Sequence, residues 1–165
     1  MAFFDPRRKR IRHAAALRRG GDATAAIDAL ADVLTDDPDN AQANAEMGRA
    51  LRLIGDPAGA EEHLRAAIAT VLDYQLIVEL AGVVAEQDRI GEAEELIDGA
   101  LAMAAGNPRL DPGEALLVRA AIAAGDERND DARAALDAIE PKRASAQVKE
   151  YAARLRASLP DAEPT

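Results

Sequence analysis

The chain of 165 residues carries 20 Lys or Arg against 30 Asp or Glu, a formal charge of −10, and no cysteine. Disulfide and thiolate chemistry are thereby excluded, the length suits one domain with a continuous core, and the acidic balance opposes nonspecific attraction to polyanions. Hydrophobic residues make up 48% of the chain, much of it alanine, and no stretch alternates as a strand would, so an all-α class is expected.

Residues 1–6 read as a short amino-terminal tip with the apolar pair Phe3-Phe4. Behind it, Arg7, Arg8, Lys9, Arg10, Arg12, Arg18 and Arg19 surround Ala14-Ala15-Ala16-Leu17. That run of four is too brief for a secretory segment. No run approaches the roughly 18 residues needed to cross a bilayer, so a soluble cytoplasmic protein is expected. The first 20 residues hold seven bases and one acid, whereas the other 145 hold thirteen bases and 29 acids. The chain is electrically two-ended.

Gly20-Gly21-Asp22 reads as a turn, with glycine ending one helix and Asp22 capping the next, which runs from Ala23 to Thr35. Asp36-Asp37-Pro38-Asp39-Asn40 is a second turn, and Gly55-Asp56-Pro57 separates two helices between Ala41 and Leu72. Leu72 to Glu86 and Gly91 to Ala104 are the next helical pair, divided by Gln87-Asp88. Asp111-Pro112-Gly113 starts another pair, whose own turn, Gly125 to Asp131, is expected to be longer. Residues 142–159 form a last amphipathic helix using Ala146, Val148, Tyr151, Ala152 and Leu155, and 160–165 an expected disordered tail.

The second helices share a pattern. Ala26, Ala60, Ala93 and Ala132 stand 34, 33 and 39 residues apart, and each is followed four residues later by Leu30, Leu64, Ile97 or Leu136. Twelve residues before each stand Ala14, Gly48, Ala81 and Ala120, followed at three residues by Leu17, Leu51, Val84 and Ala123. Small residues at such fixed intervals serve where helices cross closely. Over residues 7–141 this resembles the tetratricopeptide repeat, a helix-turn-helix unit of about 34 residues. The Pro38 of Asp-Pro-Asp-Asn stands where that family expects it, although the aromatic residues it favours are missing and Arg119 replaces a usual aliphatic. The resemblance implies a right-handed α-solenoid of about four repeats, closed by the capping helix.

Chemistry-bearing constellations are sparse. His13 and His63 lie in different repeats without further nitrogen or sulfur ligands at zinc spacing, so they read as exposed or packing histidines. Gly20-Gly21-Asp22-Ala23-Thr24 lacks the Gly-Lys-Ser/Thr of a phosphate loop, and Asp36-Asp37-Asp39 lacks the glycine and distal glutamate of a calcium loop. No base stands ready to activate Ser145 or Ser158. Neither an enzyme nor a cofactor or metal is expected.

A surface remains. The resemblance implies that the first helix of each pair lines a groove for a protein or peptide partner, which would involve Arg8, Arg12 and Arg19, then Arg49 and Arg52, then Gln75 and Val78, and finally Leu117. Such a groove is basic at one end, suited to acidic groups, with Val78 and Leu117 as apolar anchors. A lysine clamp for a terminal carboxylate is disfavoured, because no lysine stands between Lys9 and Lys142. The plainest reading of the basic end is a solvated face balancing an acidic surface. Association with RNA or an anionic membrane through residues 3–19 is the alternative, disfavoured by the overall charge. Self-association through an open repeat end stays open.

Overall fold

The structure, a computed structural model, describes residues 5–160. Among the described residues it is all-α, with nine helices. They are α1 (Pro6–Arg19), α2 (Ala23–Asp36), α3 (Ala41–Leu53), α4 (Pro57–Thr70), α5 (Tyr74–Ala85), α6 (Ile90–Gly106), α7 (Gly113–Gly125), α8 (Asn129–Asp137) and α9 (Ala146–Ser158). They fall into two compact units divided after Gln87, so the first holds α1–α5 and the second α6–α9. Phe3-Phe4 and residues 161–165 lie outside the described part.

In the first unit each helix begins on a side-chain cap. Asp5, Asp22, Asn40, Asp56 and Asp73 each accept a hydrogen bond from a backbone N–H of the first turn, satisfying donors that have no partner within the helix. The apolar stripes of α1, α2 and α3 meet in a core of Ile11, Ala14, Ala26, Leu30, Val33, Ala43, Met47 and Ala50, with Leu17 and Leu51 packed against it half-buried. Gly48 marks the crossing of α3 with α4, where a Cβ would stand 3.0 Å from the Ala60 carbonyl oxygen and 2.9 Å from Leu64 Cγ. The end of α5 is tied to α4 by Gln87, whose amide donates to Glu61 at 2.7 Å. Ala60, Leu64 and Ala81 are fully buried.

The second unit repeats the scheme with weaker punctuation. Ala93, Ile97, Ala132 and Leu136 are buried, and so is Ala120. Leu116, Ala120, Ala135, Leu136, Ile139, Ala144 and Val148 form its core cluster, on which Ala152, Leu155 and Leu159 of the α9 stretch also pack. The last helix starts at Ala146, with residues 142–145 forming a turn that Ser145 ends as cap. Two expected members of its apolar stripe do not bury. Ala146 is exposed and Tyr151 is 49% exposed, its ring lying under the Arg154 guanidinium.

The expected long turn in the fourth pair is corrected. The α7–α8 turn is only 126–128, as short as 20–22 and 54–56. The extra residues between Ala93 and Ala132 come earlier, from an α6 of 17 residues and from the connection 107–112, where Pro108 and Pro112 interrupt helix formation. The insertion therefore falls between pairs, and Ala120 and Ala132 keep their spacing.

The short turns share one device. Five residues before each anchor alanine the backbone is left-handed, at Gly21, Gly55, Asp88 and Glu127. The first two are glycine, which enters that region freely, and each is followed by a capping aspartate. The last two bear side chains and precede Arg89 and Arg128, which make no capping hydrogen bond. The fourth turn, expected to open at Gly125, opens one residue later, because Gly125 is the last residue of α7.

Candidate functional site

In the first unit, α1, α3 and α5 are joined by a chain of ion pairs. Arg18 Nε of α1 donates to Glu46 at 3.0 Å, and the other Glu46 oxygen accepts from Arg49 Nη1 at 2.7 Å. Arg49 then grips Glu79 of α5 with two parallel bonds, of 2.7 Å from Nε and 3.0 Å from Nη2. The paired, two-pronged geometry is the strong form of the interaction. Burial alone would lower the Arg49 pKa, but the hydrogen bonds and charges of Glu79 and Glu46 outweigh it and the pKa is raised. One turn further along α3, Arg52 bonds Glu86 at 2.9 and 2.6 Å. Its guanidinium lies over Gly82, where a Cβ would approach it to 3.2 Å.

Arg49 and Arg52, expected to meet a ligand's acidic groups, are thus engaged with carboxylates of their own chain. The arginines of α1 differ. Arg8, Arg12 and Arg19 are exposed and, with Ala15, fall within about 60° of one another around the helix at 100° per residue. Arg8 has a long contact of 3.8 Å with Asp5, and Arg19 Nε donates to the Ala15 carbonyl at 3.1 Å. Among the described residues Lys9, Arg10 and Arg12 have no carboxylate partner. Arg18 of this helix turns to the half-buried pair with Glu46, and Arg7, itself exposed, reaches Asp37.

The apolar end of the expected groove is corrected at Val78, which is 3% exposed and so offers no surface to a ligand. The signal was in the sequence: α5 reads YQLIVELAGVVA, apolar nearly all round, as a helix buried on several sides does. Gln75 is exposed on the same helix. Leu117 belongs to the second unit, where it packs half-buried against the core cluster. Arg119, in the place of an aliphatic, bonds Asp98 beside a depression of about 480 Å³ that Leu116, Ala123 and Arg128 also line. His63 is a packing residue, its Nδ1 2.8 Å from Asn44 Oδ1, while the Asn44 amide donates to the Pro38 carbonyl at 2.7 Å. No group of three or more metal-ligating side chains is found among the described residues.

What residue-type reasoning missed was the glutamates. Glu86, the C-cap of α5, follows Arg52 by 34 residues, one residue beyond the equivalent position of the next first helix, and meets it sideways. Glu79 and Glu46 come at spacings of 30 and 28 from their arginines.

Residues 17–80, from the end of α1 to the middle of α5, match the family model described as Tetratricopeptide repeat. This stretch is tetratricopeptide-repeat sequence. Solved structures extend the likeness of fold to most of the chain. The type IV pilus biogenesis factor PilW is 22% identical with a TM-score of 0.70, over 81% of this chain and 60% of that one. The pilF protein of Pseudomonas aeruginosa is 20% identical with a TM-score of 0.72, over 90% and 67% respectively. MamA is 19% identical with a TM-score of 0.64, over 87% and 90%. The chain thus spans only 60% of the length of PilW, and identities this low speak for the fold alone. No curated protein matches the chain. In tetratricopeptide terms α1, α3 and α5 are first helices of successive repeats, and the ion-pair chain runs across them. No helix among the described residues is long and apolar enough to cross a membrane.

Proposed function

We propose that the chain is a non-enzymatic, cytoplasmic adaptor that binds a protein partner along the first-helix face of its amino-terminal unit, with the exposed arginines of α1 gripping acidic groups. The tetratricopeptide fold supports the general reading, since such repeats commonly serve as protein-interaction scaffolds, though fold by itself never names a ligand. The observation that carries the finer reading is the contrast within one face. Arg18, Arg49 and Arg52 are neutralised by carboxylates of the chain, whereas Arg8, Arg12 and Arg19 keep their guanidiniums toward solvent. A partner carboxylate gains a new charge-assisted bond at the second set and must displace an existing one at the first.

The test places a photo-crosslinking residue at position 15, inside the stripe, and identifies what it captures in the native host with and without Arg8→Glu and Arg12→Glu. Capture of one acidic protein, lost on charge reversal while the helical signal persists, is expected. Capture unaffected by both reversals would remove α1 from the account.

A further inference from the structure

Two helices of the first unit each carry unfavourable charge at one end. α1 has basic residues at positions 7–10, in its first turn, and no acid there, although the helix dipole makes that end positive. α2 carries Asp36 at its negative end, no basic residue in its last turn, and Asp28, Asp32 and Asp36 exposed at four-residue steps. Like charges at that spacing repel. Among the described residues none of the three aspartates has an ionic partner. Inside the unit, α1 is relieved by its cap Asp5, which has long contacts with Arg7 and Arg8, and by Arg7–Asp37 and Arg18–Glu46, while Asp28, Asp32 and Asp36 of α2 have no such relief among the described residues.

The two stripes fit each other. Arg8 and Arg12 are one helical step of about 6 Å apart, as are Asp36 and Asp32, and both pairs lie along one side of their helix. Laid antiparallel, Arg8 faces Asp36 and Arg12 faces Asp32, while Ala15 and Ala16 pass beside Asp28. The dipoles then oppose, so the positive start of α1 lies beside the negative end of α2. Within one chain α1 and α2 already pack through their apolar faces, which leaves the charged faces outward.

We infer that the exposed arginine face of α1 docks on the aspartate face of α2 in a second copy of the chain. This rests on the reading of α1 as an acid-binding surface and names its occupant. Each copy offers one of each face, so two copies close as a two-fold pair where α1 meets α2 in both directions, and form a ring or a growing series where it does so in one. Being built on exposed charge, the contact weakens as salt rises.

The full chain is followed by sedimentation velocity across concentration at low and high salt. The expected mass rises above 17.4 kDa with concentration at low salt and returns to it at high salt. Arg12→Glu or Asp32→Arg alone should weaken association about tenfold or more, because each sets like charges face to face. The double variant Arg12→Glu/Asp32→Arg should regain it. Both residues are exposed, so circular dichroism should stay as in the parent for every variant. A monomer at all concentrations and salts overturns the inference, as does assembly indifferent to the single reversals or not regained in the double variant. If the parent is monomeric and yet loses a captured partner on Arg12→Glu, self-docking fails and the adaptor reading stands. If the chain self-assembles and captures no other protein, self-docking stands and the adaptor reading fails.

Discussion

Gly48→Ala and Gly99→Ala are the same change in two helix interiors and should have opposite signs. Replacing a helical glycine by alanine removes backbone freedom from the unfolded chain and gains about 1 kcal/mol. At Gly99, on the exposed side of α6, a Cβ meets nothing within 4 Å, so that gain should appear whole. At Gly48 the new Cβ would stand 2.9 Å from Leu64 Cγ, a branch carbon, and 3.0 Å from the Ala60 carbonyl, which is backbone. Neither is the free end of a flexible side chain, so α3 and α4 must part where they cross. Overpacking of this kind costs about 1–3 kcal/mol, leaving a net loss of about 1 kcal/mol after the propensity gain. The quantity to compare is the difference between the two variants, about 2 kcal/mol, in which the propensity contribution cancels. Urea titrations followed by far-ultraviolet circular dichroism measure it. A Gly48→Ala protein as stable as Gly99→Ala would show that the small residue is not needed for close approach.

Val78→Ala should lower stability by about 2 kcal/mol, as burial of a whole valine implies; a partner-binding defect with unchanged urea midpoint would return Val78 to the surface. A double-mutant cycle on Arg49→Ala and Glu79→Ala should show a coupling of about 1–2 kcal/mol, since both side chains are more than two-thirds buried and doubly bonded; additivity would sink the pairing. Because the Arg49 pKa is raised, its share of that coupling is complete below the unfolded value and is lost only as pH rises through the higher folded value. The cycle should therefore read the same between about pH 6 and pH 9. Glu127→Gly should raise the melting midpoint by an amount equivalent to about 0.5–1 kcal/mol, by relieving the left-handed backbone at φ 58; a lowered midpoint would mean that Glu127 holds a contact worth more than its strain.

The repeat architecture was legible because one physical demand, a small residue where helices cross and a bulky one a turn later, recurs at each pair. Ala26, Ala60, Ala93 and Ala132 are all fully buried. Glycine and aspartate marked the turns at 21–22 and 55–56 for the same reason that the structure uses them there. That signal is weaker at Gln87-Asp88, which lacks a glycine, and fails at Glu127, a residue type with no preference for the left-handed region. The insertion between Ala93 and Ala132 was visible as a length but expected in the wrong place, the turn from Gly125 to Asp131, whereas the end of α6 and the connection 107–112 carry it. At the site, residue type located the arginines, but a guanidinium shows nothing in sequence of whether a carboxylate meets it from the neighbouring helix.

The ion pairs have a direction that bears on what α1 lacks. Arg18 of α1 reaches Glu46 of α3, and Arg49 and Arg52 of α3 reach Glu79 of α5 and Glu86 at its C-cap, so each arginine meets a glutamate on the following first helix or its cap. Within the first unit, α3 and the α5 stretch each supply the acid for the first helix before them. α1 itself, PRRKRIRHAAALRR, contains no acid. A helix that offered arginines to α1, as α1 offers Arg18 to α3, would find no carboxylate on it. On the proposed reading, the exposed Arg8, Arg12 and Arg19 favour an occupant that reverses the rule and brings carboxylates to that face.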